Sequence, residues 1–139
     1  MLIQRRSARR RDGVHTVEMA MVLPAFFLFF FGLIEISRGF MVSSLLVNAS
    51  RIGCRTATLP GKTNDDVATK VDTILAAQGI ANYTTTIKVN GTATTSVDTA
   101  ATGDTVTVEV QVPSDKVSWI PKASFIFGNI TGHYNLPHE

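Results

Sequence analysis

The sequence predicts an α+β protein in which a long N-terminal transmembrane helix continues into a small outer domain with one helix and a three- to four-stranded antiparallel sheet. Two observations carry this prediction. A nearly uncharged apolar segment lies near the N-terminus, and a run of valines alternating with polar residues lies near residue 110. A chain of 139 residues has room for one small globular domain beside such a helix.

The first thirteen residues are predicted to be a solvated leader, because five of the thirteen basic residues of the chain fall within the first eleven positions. An arginine cluster directly before an apolar run is typical of the cytoplasmic side of a membrane span. Nucleic-acid binding is the other meaning of a basic cluster, and the apolar run that follows disfavours it. We therefore expect a cytoplasmic N-terminus and no nucleic-acid partner.

The apolar segment is long enough for a tilted membrane span over residues 14–42. Residues 19–34 hold sixteen uncharged side chains, and only Glu18, Glu35 and Arg38 interrupt the longer stretch. The helix is predicted to run over residues 14–58, which corresponds to about 68 Å at 1.5 Å per residue. Pro24 lies inside the span and predicts a kink, either as an ordinary membrane-helix proline or as a specific bend.

Beyond the span the helix becomes amphipathic. We expect an apolar stripe on its buried side, formed by Ile36, Phe40, Val47, Ala49, Ile52 and Gly53. The single cysteine, Cys54, excludes an intramolecular disulfide. It is either a small apolar residue on a helix face or a site of intermolecular bridging or lipid attachment.

Residues 59–139 are predicted to form the outer domain. A helix is expected at residues 64–78, with an Asn or Thr cap, Asp65 and Asp66 in its first turn and Gly79 after its end. Strands are expected at residues 83–89, 92–99 and 105–112, joined by turns at Asn90-Gly91 and Gly103-Asp104. Residues 117–139 are expected to contain a loop and a final edge strand.

The sequence gives no reason to expect catalysis or a cofactor. None of the common hydrolase, zinc or phosphate-binding motifs occurs. The three histidines, His15, His133 and His138, are scattered at the two ends of the chain, which disfavours a metal site. We predict neither an enzyme nor a small-molecule substrate.

The most informative residues lie at the start of the apolar segment. A basic stretch ends in Gly13, and the fifth residue after it, Glu18, is acidic within an otherwise apolar run. A charged side chain at the centre of a membrane helix costs about 2.5–3.5 kcal/mol even on translocon scales, so Glu18 requires a cationic partner. Alternatively, Glu18 lies near the cytoplasmic interface and pairs with an arginine of the leader.

These residues resemble the TadE-like family. The resemblance consists of Gly13 followed by V-H-T-V-E-M-A-M-V-L-P, a Glu35-x-x-Arg38 segment, and the stretch from Asn48 to Ala57, N-A-S-R-I-G-C-R-T-A. It continues more loosely through the valine-rich strand that ends at Pro113. Met19 stands where the family usually has Phe, a small change because both side chains are large and apolar.

The resemblance implies a minor pilin or pseudopilin of a bacterial tight-adherence pilus, a type IV-like system. Its leader would be removed by prepilin peptidase after Gly13, leaving Val14 as the N-terminus. The new amine, cationic at neutral pH, would pair with Glu18 of a neighbouring subunit. Expected partners are prepilin peptidase, other pilin-like subunits, the pilus assembly machinery and membrane lipid. The expected location is the bacterial inner membrane, with the outer domain periplasmic, or extracellular in the pilus.

Two alternatives remain open at this stage. An uncleaved single-pass anchor with an external binding domain would not require Gly13 and Glu18. A secreted protein with a conventional signal peptide is disfavoured because Glu35 and Arg38 follow the apolar run and no small-x-small cleavage site comes directly after it.

Overall fold

A computed structural model describes residues 9–94, 96–117 and 128–138. Helix α1 spans Arg9–Ala57 and α2 spans Asn64–Ala77. The strands are β1 (Thr84–Val89), β2 (Thr92–Ala93), β3 (Thr105–Pro113) and β4 (Asn129–Pro137). The chain divides into an N-terminal unit, Met1–Ile36, and a C-terminal unit, Ser37–Glu139. The predicted α+β class is confirmed, with one helix and a four-stranded antiparallel sheet after the long apolar helix.

Helix α1 has 49 residues and runs through Pro24 without ending. It begins at Arg9, five residues before the predicted start at Val14, and ends one residue before the predicted end at Thr58. The kink at Pro24 stays a prediction. Residues 1–8 of the predicted leader lie outside the described residues.

Helix α2 begins as the acidic first turn predicts. The Thr63 hydroxyl accepts from the backbone N–H of Asp66, and the Asp66 carboxylate accepts from the backbone N–H of Thr63, at 3.1 Å. This capping box satisfies two backbone donors that a helix start leaves unpaired. The Thr63 backbone holds the pKa of Asp66 below its ordinary value, as expected for a carboxylate that accepts from an N–H. The predicted stop is also confirmed, since Gln78 is the C-cap and Gly79 has a φ of 69°.

The sheet has the strand order β2-β1-β3-β4, with every neighbouring pair antiparallel. Asn90 and Gly91 have φ values of 50° and 82°, which confirms the predicted tight turn between β1 and β2. Strand β4 forms the predicted edge and pairs with β3 from Thr105↔Pro137 to Pro113↔Asn129. Pro113 is therefore the last residue of β3 and still pairs with β4.

The predicted second strand, residues 92–99, is wrong in length. Only Thr92 and Ala93 form β2, and a short 3₁₀ turn follows at Val97–Thr99. The Asn64 side chain accepts from the backbone N–H of Val97 at 2.9 Å and donates to the Thr94 carbonyl at 3.1 Å. These side-chain bonds replace a strand ladder for this segment. The predicted loop after residue 117 falls largely on residues 118–127, which lie outside the described residues.

The core lies between one face of the sheet and the two helices. Val106, Val108, Val110 and Val112 of β3 are all fully buried, which confirms the face predicted from their alternation. Val67, Val71 and Leu75 of α2 pack into the same cluster. The opposite face of the sheet carries Thr107, Glu109 and their polar neighbours, and Lys88 Nζ lies 2.6 Å from Glu109 Oε2 there.

The buried stripe of α1 differs from the predicted one. Phe40 is 70% exposed and Ile36 and Val47 are about 40% exposed, whereas Ala49 and Gly53 are buried as predicted. The residues that face the sheet are Val42, Leu46, Ala49, Ser50, Gly53, Cys54 and Ala57. Small residues dominate because the helix backbone approaches the strands closely, so the largest apolar side chains do not mark the buried side.

Glycines allow close approach at two contacts of α1. A Cβ atom on Gly53 would lie 2.9 Å from Val71 Cγ2 of α2, and one on Gly132 of β4 would lie 2.4 Å from the backbone carbon of Leu46. Ser50 Oγ donates to the Gly132 carbonyl at 2.9 Å across the same contact. The helix therefore lies directly on β4, with almost no side chain between the two backbones.

Cys54 belongs to this packed face. It is fully buried, and its thiol donates to the Val106 carbonyl at 3.2 Å. Burial raises the pKa of the Cys54 thiol, which keeps it in the unreactive neutral form. Its role in this structure is that of a small core residue.

Candidate functional site

The N-terminal unit exposes a continuous apolar helix surface. Exposed large apolar side chains occur on all sides of the helix, among them Met21 at 79%, Leu28 at 75% and Phe29 at 67% exposure. Within Gly13–Ala57 an 18-residue window reaches a mean hydropathy of 2.2 with only 6% of it buried. By length and composition this helix can cross a membrane. A helix of a soluble protein would usually bury such a surface.

Phenylalanine rings stack in pairs on this surface. The rings of Phe26 and Phe30 stack with centroids 6.2 Å apart, and those of Phe27 and Phe31 stack at 6.3 Å. Both pairs have the i, i+4 spacing at which helix side chains meet. They form two aromatic ridges on the turns that follow Pro24.

Gly13, Val14 and Glu18 all lie on α1. No atom of the described residues outside the helix backbone lies within 4 Å of a Cβ built on Gly13, so packing against this part of the chain does not require glycine at this position. Val14 is 56% exposed. The Gly13–Val14 peptide bond lies in the second turn of the helix, where a glycine costs about 1 kcal/mol relative to alanine and favours local unwinding.

Glu18 has a partner that the sequence reasoning missed. His15 Nδ1 lies 3.4 Å from Glu18 Oε2, and both side chains are largely exposed, at 75% and 68%. The i, i+3 spacing of the two residues is the signal that would have indicated it. The structure therefore provides a local partner for the carboxylate in addition to any arginine of the leader.

The stretch from Asn48 to Ala57 divides between two faces of α1. Ala49, Gly53 and Ala57 face the core, whereas Asn48, Arg51 and Arg55 face outward. The guanidinium carbon of Arg51 lies 5.6 Å from the centroid of the Tyr134 ring on β4, within cation–π distance. The small residues fix the packing of the helix on the sheet, and the polar residues form a surface.

Arg38 connects α1 to the segment that follows β3. Its Nε donates to the Val117 carbonyl at 3.2 Å, across 79 positions of sequence. The segment Ser114–Lys116 forms a 3₁₀ turn directly before this carbonyl. Arg38 thus has a structural role within the C-terminal unit, which its place in the Glu35-x-x-Arg38 motif does not by itself indicate.

Among the described residues, no group of three or more His, Cys, Asp or Glu side chains could hold a metal ion. His133 is exposed on β4, and His138 bonds through its backbone to the turn at Gly103 and Asp104. One groove of the C-terminal unit is lined by residues of α1 and β4, and another by residues of α2, β1 and β2.

The comparison with protein families gave one match. The family model described as TadE-like protein matches residues 13–55, which begin at Gly13 and include Glu18, Glu35, Arg38 and most of the Asn48 stretch. No curated protein and no solved structure matched the chain. TadE-like proteins are structural components associated with tight-adherence pili. From Gly13 to Arg55, the first helix of this chain is therefore a TadE-like segment, as the resemblance of its motifs predicts.

Proposed function

We propose that this protein is a minor pilin or pseudopilin of a bacterial tight-adherence pilus, matured by prepilin peptidase after Gly13. The observation that carries the proposal is the TadE-like segment, which starts at Gly13 and places Glu18 five residues later on an exposed apolar helix. A protein of this kind needs an apolar helix that packs among other subunits and a folded domain that stays outside the membrane.

The conformation at Gly13 supports cleavage at this position. No contact with the residues that the structure describes requires glycine there, and glycine lowers the stability of the helix end. A peptidase that binds its substrate in an extended form would have to unwind one to two turns. A helix end with Gly at this position opens more readily than one with alanine.

The charge of Glu18 supports a role in assembly. Among the described side chains its partner is an exposed histidine at 3.4 Å, an interaction that contributes little in water. In an assembly, the amine of Val14 from a neighbouring subunit would give Glu18 a cationic partner in a dry environment. Such a pair sets the register of two helices more than it adds stability, since removing both charges from water is costly.

Intact mass spectrometry of the protein from its native membrane tests the cleavage. We expect a mature chain that begins at Val14. An uncut N-terminus in cells that contain prepilin peptidase would contradict the proposal and would favour the alternative, an uncleaved signal-anchored envelope protein with an external binding domain. Replacing Gly13 with valine should block the cut and serves as the reference for the uncut mass.

The variant Glu18→Gln separates cleavage from assembly. We expect cleavage to be retained and co-purification with pilus components to be lost, because the amide keeps the shape but not the charge. His15→Gln is the matched control, since it removes the local partner and leaves the carboxylate in place. If Glu18→Gln enters the assembly as efficiently as the unchanged protein, the charge-pair role is excluded.

A further inference from the structure

The two edges of the sheet in the C-terminal unit differ in charge. Among the described residues, strand β4 forms one edge and pairs with β3 over its nine residues. At the other edge, β2 pairs with Lys88 and Val89 of β1, and the Thr94 N–H donates to the Ile87 carbonyl, so that within the described part of the chain β3 is the only strand beside Thr84–Thr86. Unpaired strand edges of this kind bind further strands readily.

The edge at β4 is basic. An open groove, here called the basic edge groove, is lined by Asn48, Arg51, Ile52, Arg55, Tyr134 and Leu136. Arg51 and Arg55 are exposed and one helical turn apart, and no carboxylate of the described residues lies within ion-pair distance of either. Two like charges at this spacing repel each other unless an acidic group lies nearby.

The edge at β1 is acidic. A second groove, here called the acidic edge groove, lies where β2 ends and is lined by residues that include Asp65, Thr85, Thr86 and Thr94. Asp65 is exposed and is the charged residue among those that line this groove. The hydroxyl oxygen of Thr85 is buried and has no hydrogen-bond partner within the described part of the chain. An additional strand at this edge would bring backbone groups close to it.

From these features we propose that the basic edge groove of one copy binds the acidic edge groove of a second copy of this chain, so that β4 of the first extends the sheet of the second beside Thr84–Thr86. The occupant is a second copy because the same domain carries both complementary edges. Such a contact joins two different surfaces, so each of the two copies still has one free edge that can bind a further copy. The contact therefore repeats along a fibre or closes into a ring.

The contact is small, because only three residues of β1 are uncovered. It would be weak between free domains, and anchoring both copies in one membrane raises their effective concentration. The inference does not depend on cleavage at Gly13. The intact mass of the protein in the same membrane sample reports the cleavage separately.

Disulfide crosslinking between two differently tagged full-length copies tests the contact. One copy carries Asn135→Cys on the exposed face of β4, and the other carries Thr86→Cys or, separately, Thr84→Cys on the same face of β1. Under mild oxidation in membranes we expect a mixed dimer from at least one of these two combinations. The native Cys54 is buried and stays in both copies as an unreactive background.

The matched control places the second cysteine at Thr107 in β3, on the same face of the sheet but not at an edge. We expect no dimer between this copy and the Asn135→Cys copy. Arg51→Glu with Arg55→Glu in the Asn135→Cys copy should lower crosslinking about two- to fivefold, as expected for exposed ion pairs. Asp65→Arg in the other copy should restore it.

Three results would overturn the proposal. The first is the absence of mixed dimers from both β1 positions while both copies are present in the membrane. The second is a dimer of Asn135→Cys copies alone, since that would indicate a symmetric contact of β4 with itself. The third is crosslinking of the Asn135→Cys copy to a protein of another mass in place of the second copy.

Discussion

Two stretches of the same helix use apolar residues in opposite ways. In the N-terminal unit, Leu28 is 75% exposed, whereas in the C-terminal unit Leu46 is fully buried. Both are leucines of α1, and local helix propensity is the same for each. The difference teaches that residue type does not separate the two halves of α1, since the first half exposes its apolar side chains and the second packs them into a protein core.

The close contact between α1 and β4 should be the most sensitive point in the C-terminal unit. Gly132→Val would cause a steric clash between the valine side chain and the backbone of Leu46, and it should destabilise the fold by about 3 kcal/mol or more. Gly128→Ala is the control, since a Cβ there meets nothing within 4 Å. Denaturant unfolding of the full chain in detergent, monitored by the loss of protease resistance, measures the stability of both variants. Equal stability of the two variants would contradict the packing described.

The pair Leu46→Ala and Leu28→Ala compares the two halves of the helix directly. Leu46→Ala should cost about 2–5 kcal/mol of unfolding free energy, because it leaves a cavity in the core. Leu28→Ala should change unfolding of the C-terminal unit by less than about 0.5 kcal/mol, as expected for a position exposed in the fold. Denaturant midpoints of the full-length variants give both values. A large effect of Leu28→Ala on unfolding would mean that its side chain packs within the protein.

Ser50→Ala should have a smaller effect. The Ser50 hydroxyl donates to the Gly132 carbonyl at 2.9 Å in a buried position, and its loss should cost about 1 kcal/mol. Ser44→Ala in the same helix is the control, since Ser44 is exposed. The same unfolding experiment distinguishes them. A neutral Ser50→Ala would show that the bond contributes nothing to holding α1 on β4.

The smallest expected effect is on the titration of Tyr83. Partial burial, and then the hydrogen bond from the Tyr83 hydroxyl to Asp72 at 2.6 Å, raise the pKa of Tyr83 to about 12. Because the folded pKa is raised, the stabilisation is fully present below the unfolded value near 10 and is lost as the pH rises through about 12. Ultraviolet titration of the phenol measures the pKa. Asp72→Asn should lower it, and an unchanged value would exclude Asp72 as a cause.

Local patterns predicted the elements whose formation depends on a few adjacent residues. The alternation of β3, the Asn90-Gly91 turn and the start of α2 at Thr63 are examples, since each is decided by sterics or hydrogen bonds within a few positions. The second strand was predicted too long, because the Asn64 side chain, distant in sequence, binds the segment that follows β2. Spacing placed Ala49 and Gly53 correctly on the buried side of α1, but it also placed Phe40 and Val47 there, and both are exposed.

The candidate functional residues also include some that the sequence alone reveals and some that it does not. Gly13 and Glu18 stand out in the sequence because Gly13 ends a basic stretch and Glu18 is a charge in the apolar run that follows it. The two edge grooves cannot be recognised in the sequence. Arg51 and Tyr134, for example, are 83 positions apart and come together only because α1 packs on β4. No pattern in the strand itself shows which of its edges stays unpaired.

By itself the sequence determined that this protein has a long apolar helix, a TadE-like start and a small α+β domain, because hydropathy, turn residues and short motifs act locally. Only the tertiary structure decided which face of α1 is buried, why Gly132 and Gly53 must be small, and which charges lie along each sheet edge. Those features depend on distances between segments far apart in the chain. Packing density sets these distances, and no local pattern encodes it.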